Sequence, residues 1–318
     1  MAGSTTGHAR TEEQRELAAI VRQLLQRRSD SAAVRTAFGT AEGYDLQLWR
    51  SLCEQIGVAA LPVPEQYDGV GAGLVESAVV LEELGANLAP NPLLASTLHV
   101  AQLLLHGSEE EKSRLLPRLA GGEVLPFQLG RVVLEAAPDD RSPSMDPTLR
   151  LGLADAPADN PADAPADNPA DVRDIATALV SALQVGALQR GLDMTVAYSL
   201  DRVQFGRPIG SFQALKHRMA DLLVLLEASR SASWSATAAA AAYLDEPSTD
   251  HAATLRRLAR VAGSYCTEAL AKVAGETIQL HGGIAITWEH DAHLVFKRAH
   301  ALGQLVGAPH RLRAELLG

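Results

Sequence analysis

Aromatic side chains and cysteines are both scarce in this sequence. Aromatic residues make up only 4% of the chain, although 47% of it is hydrophobic, so the apolar content is mostly alanine, leucine and valine. Such a composition favours helices over strands. The two cysteines, Cys53 and Cys266, form no disulfide framework and lack the spacing of metal ligands, which fits a reducing cytoplasm. The 318 residues are enough for one large domain or two ordinary ones.

The sequence also lacks an excess of positive charge and long apolar runs. Its formal net charge is -10, which disfavours nucleic acid as a partner. Its N-terminal region contains no apolar core of a signal peptide, and no apolar run is long enough to span a bilayer. We therefore expect a cytoplasmic protein that is not embedded in a membrane.

Several catalytic signatures are absent as well. No Gly-x-Ser-x-Gly elbow indicates acyl-enzyme chemistry, and no Glu-x-x-His pair indicates a di-iron carboxylate bundle. The glycines of segment 69–73 are not followed by Lys-Ser/Thr, so they predict a turn and not a phosphate loop. Polar residues cluster near the C-terminus: His281, Glu289, His290, Asp291, His293 and His300. We interpret them as polar positions at a helix start and an interface, and we predict no metal site.

The first part of the chain has a helical pattern. Thr11 and Gln14 have the spacing of a capping box, and the apolar residues from Leu17 to Leu25 recur on one helix face. Further helices are predicted at about 43–55, 74–84, 92–105 and from 108 onward. The helix at 74–84 is predicted to end at Gly85. An N-terminal helical domain is therefore predicted at residues 11–123, after a loose tail at residues 1–10.

Residues 124–171 differ in composition from the helical parts. Residues 124–134 are compatible with one or two short strands, and residues 139–153 are rich in turn formers. Residues 154–171 are an internal repeat, ADAPADNP twice and then AD, without side chains large enough to build a core. We predict a vestigial middle segment that contains a flexible acidic linker.

Longer helices are predicted in residues 172–318. They run at about 172–200, 212–244, 250–280 and 289–304. Because the connections between them are short, these helices predict an antiparallel four-helix bundle.

The corner between the first two bundle helices, residues 201–213, contains glycines and a proline that break the helical periodicity. Arg202 offers a planar fork that suits phosphate oxygens, Gln204 can donate and accept hydrogen bonds, and Phe205 can pack on a flat ring. Taken alone, Arg202 is also explained as a cation that complements the dipole of a helix C-terminus.

The third bundle helix ends in the segment 279–283, QLHGG. Gln279 places a side-chain amide one turn before Gly282 and Gly283, and glycines let a ligand or another backbone approach closely. An isolated pattern of this kind is usually a helix C-cap. Beside the Arg202 corner, the segment becomes a candidate for cradling one long ligand.

Taken in order, these motifs resemble the acyl-CoA dehydrogenase family over nearly the whole chain. In the N-terminal half the similarity lies in Trp49-x-x-Leu52-x-x-x-x-Gly57, VPEQYDGVG at 63–71, LEELG at 81–85 and GSEEEK at 107–112. In the C-terminal half it lies in RVQFGRPI at 202–209 and QLHGG at 279–283. The string WEHDAH at 288–293 is most similar to actinobacterial members that act on bulky substrates such as steroid side-chain CoA esters.

The resemblance implies a mainly α fold with an N-terminal helical domain and a C-terminal four-helix bundle. Family members carry a β-barrel between these parts, bind FAD and remove two hydrogens from an acyl-CoA thioester. A carboxylate takes the α-proton while the β-hydrogen passes as hydride to the flavin. Because only residues 124–171 separate the two helical parts, the barrel is predicted to be largely deleted in this chain.

The family's catalytic glutamate has no counterpart in this sequence. If residues 297–299 are matched to the family's Arg-Asp-Ala, Val306 occupies the usual position of the glutamate. The other position used in the family falls near Ala176, and Asp174 is too short and about two residues away. No catalytic residue is therefore predicted in this chain, because a general base must reach the proton it takes.

The surviving motifs are those that, in family homodimers, contact an FAD lodged mainly in the neighbouring subunit. The resemblance implies that Arg202 pairs with the pyrophosphate, that Gln204 and Phe205 pack beside it, and that the turn at 279–283 lines the adenosine end. The candidate FAD-binding residues are Arg202, Gln204, Phe205, Gln279, His281, Gly282 and Gly283.

We therefore interpret the chain as the shortened subunit of a heteromeric α2β2 acyl-CoA dehydrogenase with a shared FAD. A catalytic partner subunit would supply the β-barrel, the glutamate and most of the acyl-CoA pocket. Two alternatives stay open. One is a catalytically dead member with an interaction or regulatory role, and the other is a stand-alone enzyme that uses Asp174 or Glu289 as its base.

Overall fold

The computed structural model describes residues 10–137, 139, 144–153 and 168–317. The predicted tail, apart from Arg10, and most of the predicted acidic linker lie outside the described residues. The described part is mainly α-helical, with small sheets and no β-barrel. This confirms the predicted fold class. None of the described helices combines the length and the apolar character needed to cross a bilayer.

The N-terminal helices follow the predicted order, with one addition. They are α1 (Glu12–Arg28), α2 (Ser31–Phe38), α3 (Leu46–Ser51, continued by a π-helical turn at Leu52–Ile56), a 3-10 turn (Glu65–Tyr67), α4 (Leu74–Asn87), α5 (Leu93–His106) and α6 (Glu109–Ala120). The predicted capping box of α1 is confirmed, because the Gln14 amide donates to the Thr11 hydroxyl at 3.2 Å and the Thr11 amide donates to the Gln14 side chain at 2.9 Å. The short helix α2, capped by Asp30, is not predicted from the sequence.

Helix α4 does not end at Gly85, as the sequence predicts, but continues to Asn87. Gly85 lies where α4 crosses the long helix α7 (Ala170–Asp201), opposite Gly186. A Cβ on Gly85 would lie 2.4 Å from the Leu183 carbonyl oxygen, and one on Gly186 would lie 2.0 Å from the Glu82 carbonyl oxygen. The glycine therefore permits close helix packing and does not terminate the helix.

The middle of the chain forms a small antiparallel sheet. Its strands are β1 (Phe127–Leu129), β2 (Val132–Leu134) and β3 (Leu151–Leu153), paired in that order. The first two confirm the predicted short strands, whereas β3 lies in the stretch predicted to be only turn-rich. Just before β3, the carboxylate of Asp146 accepts a hydrogen bond from the Arg298 guanidinium at 2.6 Å. This fully buried ion pair ties the middle segment to the C-terminal bundle.

The C-terminal helices form the predicted bundle. They are α7 (Ala170–Asp201), α8 (Gln213–Asp245), α9 (Thr249–His281), α10 (Ala292–Val306) and α11 (Pro309–Leu317). Helix α10 begins three residues later than predicted, so Glu289, His290 and Asp291 lie in the turn before it. Helix α11 is not predicted from the sequence. Gly307, with φ of 92°, ends α10, and the proline at the first position of α11 suits a helix start.

Helix α7 is the central helix of the molecule. Its residues 174–188 are all buried, as expected for a helix that is surrounded by others. Because α7, α8 and α9 alternate in direction, the end of α7, the start of α8 and the end of α9 meet at one end of the bundle. The tyrosine ring of Tyr198 on α7 lies 4.4 Å from the imidazole of His281 on α9. This bundle end therefore carries both the Arg202 corner (residues 201–213) and the glycine turn (residues 279–283).

Candidate cofactor-contacting site

The Arg202 corner is a small hairpin that projects from the bundle end. After α7 ends at Asp201, β4 (Val203–Gln204) pairs with β5 (Arg207–Pro208). Phe205 and Gly206 form the tip with φ of 53° and 77°, as a tight two-residue turn of a hairpin requires. At its base, the Ile209 amide donates to the Arg202 carbonyl at 2.8 Å. Residues 202–208 are all exposed.

Phe205 combines an unfavourable backbone conformation with an unfavourable surface position. Its φ of 53° is rare for a bulky residue, and its side chain is 92% exposed. Its ring meets the Phe212 ring edge-on at 6.1 Å, and the Arg207 guanidinium lies 4.1 Å from the centre of that second ring. Strain and exposed apolar area at one residue favour a functional role at this tip.

The polar side chains of the hairpin are free to meet a ligand. Arg202 is exposed and forms no ion pair within the described part of the chain, so its guanidinium can still receive an anion. The Gln204 side-chain amide donates only to the neighbouring Val203 carbonyl, at 2.8 Å. A planar cation next to an amide and an aromatic ring suits a phosphate linked to a flat heterocycle.

The glycine turn lies at the same bundle end. Helix α9 ends at His281, and Gly282 adopts φ of 64°, a region that favours glycine. Gln279, Gly282 and Gly283 are exposed, and a Cβ built on either glycine would meet no atom of the described chain within 4 Å. The backbone of this turn is therefore open to close approach, and the open space fits the cofactor that the resemblance implies.

His281 takes a different position from the other six candidate residues. It is 3% exposed and its ring lies beneath the turn, stacked on Tyr198 and 4.5 Å from the His290 ring. Its Nδ1 lies 2.7 Å from the Thr277 carbonyl oxygen, so Nδ1 carries the proton that it donates. Burial lowers the pKa of His281, which favours the neutral imidazole. This geometry gives His281 a supporting place under the turn.

The other polar residues of this region are occupied by structural contacts. Asp291 accepts hydrogen bonds from Ser31 and Arg35. Burial opposes the charge of Asp291, but these bonds and the charges of Arg35 and Arg190 outweigh it and lower the pKa of the carboxyl. The His293 ring packs edge-on against Trp288 at 4.7 Å. The described residues contain no group of three side chains that could hold a metal ion.

The two carboxylates considered as stand-alone bases lie far apart in the fold. Asp174, near the start of α7, is 2% exposed and is paired with Arg260 and Arg256. Burial raises the pKa of Asp174, although both arginines oppose this shift. Glu289 lies beyond the other end of the bundle, exposed, with its pKa lowered by a backbone hydrogen bond. A base held by arginines and a base open to water are both poorly suited to take a carbon-bound proton.

The two residues that the motif matching places at the family's glutamate positions have side chains that accept no proton. Ala176 is buried in α7, and Val306 is the last residue of α10. A cleft of about 730 Å³ between α1, α4, α7 and α8 does not include any of the seven candidate residues. Its arginines are already paired with carboxylates, as in the Arg22–Glu83 contact at 2.6 Å and the Arg190–Asp291 contact at 3.0 Å.

Two family models match the chain. The model "Acyl-CoA dehydrogenase, N-terminal domain" matches residues 11–123, and "Acyl-CoA dehydrogenase, C-terminal domain" matches residues 175–313. The chain is 41% identical to the acyl-CoA dehydrogenase IpdE2 of Mycobacterium tuberculosis over 96% of both proteins. It is 42% identical to IpdE2 of Mycolicibacterium smegmatis over 96% of this chain and 99% of that protein.

The chain is also similar to solved structures. A variant of the Tcur3481–Tcur3483 steroid ACAD is 25% identical, with a TM-score of 0.78 over 96% of both chains. The ChsE4–ChsE5 complex from Mycobacterium tuberculosis is 23% identical, with a TM-score of 0.78 over 98% of both chains. The second likeness concerns the fold alone.

Proposed function

The chain belongs to the acyl-CoA dehydrogenase family, and from this premise we propose that it is a subunit of a heteromeric, FAD-dependent acyl-CoA dehydrogenase. It donates half of an FAD site to a catalytic partner subunit, most simply in an α2β2 assembly. One observation carries the proposal. The Arg202 hairpin and the glycine turn are exposed and open at one bundle end. The proposal is also supported by the motif matching, which places Val306 and Ala176 at the family's two glutamate positions.

In this proposal each motif contacts a different part of the flavin nucleotide. Arg202 binds the pyrophosphate through its planar fork, and Gln204 and Phe205 pack beside it. The open backbone of Gly282 and Gly283, with Gln279, lines the adenosine end, while His281 supports the turn from below. When bound, FAD would supply the hydride-accepting chemistry. The residues of this chain bind and orient it without transferring a proton.

The partner subunit holds the chemistry in this proposal. It supplies the β-barrel, the glutamate that takes the α-proton and most of the acyl-CoA pocket. A steroid side-chain CoA ester is the proposed substrate class, supported by the string at residues 288–293 and by the description of the Tcur3481–Tcur3483 protein as a steroid ACAD. The ChsE4–ChsE5 protein is described as a complex, in keeping with a two-subunit assembly.

Flavin absorbance tests the proposal directly. The full chain is purified alone and after co-expression with whichever acyl-CoA dehydrogenase-like protein is encoded beside it. We expect no flavin in the chain alone and about half a flavin per chain in the complex, because each half-site is incomplete without the other. Stoichiometric flavin in the lone chain, together with dehydrogenation of an acyl-CoA, would contradict the proposal.

A matched pair of variants separates this proposal from the main alternative, a dead member with an interaction or regulatory role. In the complex, Arg202→Ala should reduce flavin content. The control Arg27→Ala removes an exposed arginine whose side chain, among the described residues, hydrogen-bonds within its own helix to the Gln23 carbonyl. It should leave flavin unchanged. If Arg202→Ala also leaves the flavin content unchanged, the interaction role is the better description.

A further inference from the structure

The segment that leads from the glycine turn to α10 is held at both ends. At residue 281, the imidazole is stacked on Tyr198 of α7 and bonded to the Thr277 carbonyl. At residue 291, the carboxylate accepts from Ser31 of α2 at 2.6 Å and from Arg190 of α7 at 3.0 Å. The segment 282–290 therefore lies between two fixed points.

Arg35 of α2 makes the central contact with this segment. Its Nε and Nη2 donate to the Trp288 carbonyl at 3.1 and 2.8 Å, and its Nη1 donates to Asp291 at 2.5 Å. One guanidinium thus spans a main-chain oxygen and a carboxylate with its fixed fork of donors, a geometry that lysine cannot reproduce. The Arg35 side chain is only 23% exposed, so these bonds are partly shielded from water.

Most side chains of the held segment are exposed. Besides the bonds from Arg35, it is fixed by the buried Ala285 and by the rings of Trp288 and His290, which lie against His293 and His281. Gly282 and Gly283 contribute no side chains, and Ile284, Ile286 and Trp288 are exposed. A 3-10 turn at Gly282–Ile286 is a weak local structure because its hydrogen-bond geometry is poor. The conformation of the turn therefore depends on long-range contacts more than on its own sequence.

We infer that Arg35 is a positioning residue for the flavin half-site, which fixes the Gly282–Gly283 backbone from the N-terminal helices. This inference rests on the function proposed above. Arg35 touches no part of the proposed ligand path and acts through Trp288 and Asp291. A contact that must hold a ligand in place is most effective when its own support is rigid.

The test compares Arg35→Met with Arg22→Met. Arg22 makes a similar two-point fork with Glu83, at 2.9 and 2.6 Å, between α1 and α4, but it does not touch the segment. Amide hydrogen exchange in the full chain should become about tenfold faster at residues 282–290 in Arg35→Met, because bonds to charged groups are lost. Arg22→Met should leave exchange there unchanged. Unchanged exchange in Arg35→Met overturns the inference.

Flavin dissociation from the purified complex provides the second measurement. We expect it to be about tenfold faster in Arg35→Met, since small displacements of a binding group weaken a contact strongly, and unchanged in Arg22→Met. A normal rate in Arg35→Met beside a faster rate in Arg202→Ala overturns this inference alone. Normal rates in both Arg35→Met and Arg202→Ala overturn the proposed function with it.

Discussion

Tyr198 on α7 stacks on His281 at the end of α9, with ring centroids 4.4 Å apart and planes inclined by 29°. The His290 ring lies close to both of them, at 6.4 Å from Tyr198 and 4.5 Å from His281. This aromatic group joins two long helices directly beneath the glycine turn. The imidazoles also make the bundle end sensitive to protonation.

The protein should lose stability as the pH falls below the ordinary histidine value of 6.5. Burial lowers the pKa of His281, His290 and His293 below that value. Between the lowered and the ordinary pKa values, the unfolded chain binds more protons than the folded one. The free energy of unfolding therefore decreases as the pH decreases through this window. Urea unfolding at a series of pH values measures this dependence.

Two histidine variants show which imidazole causes the loss of stability toward acid pH. His281→Phe keeps a flat ring against Tyr198 but cannot be protonated, so the fall in stability toward acid should become shallower. His310→Gln removes an exposed histidine and should leave the slope unchanged. An unfolding free energy that stays constant from about pH 7 to about pH 5 would show that these imidazoles do not control the bundle end.

Local patterns predict the helices of this fold well and its long-range contacts poorly. The cap at Thr11 and the limits of α7, α8 and α9 depend on neighbouring residues, so the sequence contains the signal. Arg35 and Asp291 are separated by 256 positions, and no spacing rule relates them. Local breaks in the helical pattern single out the Arg202 corner and the turn at 279–283, but only the family motifs relate them to FAD. The burial of His281 depends on a ring from another helix.

Gly85 shows how one local signal has two meanings. A glycine after an apolar helical stretch usually marks a helix end, but here it permits a close crossing with Gly186. The sequence shows no pairing between positions so far apart. The prediction of a helix end at Gly85 was wrong for this reason.

Gly186→Ala should strongly destabilise the protein. The added Cβ would lie 2.0 Å from the Glu82 carbonyl oxygen, so α4 and α7 must move apart, at a cost of about 1–3 kcal/mol or more. The control Gly275→Ala lies in α9, where a Cβ meets nothing within 4 Å. It should stabilise by about 0.5–1 kcal/mol, because alanine is the better helix former. Equal effects in urea unfolding would contradict the crossing.

Replacing Arg298 alone should destabilise the protein more than replacing Arg298 and its partner Asp146 together. Arg298 is 1% exposed and Asp146 is 0% exposed, so Arg298→Met leaves a buried carboxylate without its cation, at a cost of about 3–5 kcal/mol. The double variant Arg298→Met with Asp146→Leu leaves no unpaired charge and should recover a large part of that loss. A double-mutant cycle by urea unfolding measures the coupling, and additive losses would contradict a coupled pair.

Replacing Phe205 should separate stability from flavin binding. The αL conformation at φ of 53° is tolerated better by asparagine than by phenylalanine, so Phe205→Asn should stabilise the lone chain by about 1 kcal/mol. Phe205→Ala removes the ring without relieving the strain, so it should not gain stability.

Both variants should lower the flavin content of the complex, because both lose the 92% exposed ring that the proposed function places beside the cofactor. Thermal unfolding of the lone chain and flavin absorbance of the complex measure the two effects separately. A gain in stability with normal flavin content would mean that the ring is dispensable for the cofactor. A loss of flavin in both variants, with a stability gain only in Phe205→Asn, would mean that the strain at this tip is retained because it presents the ring to the partner subunit.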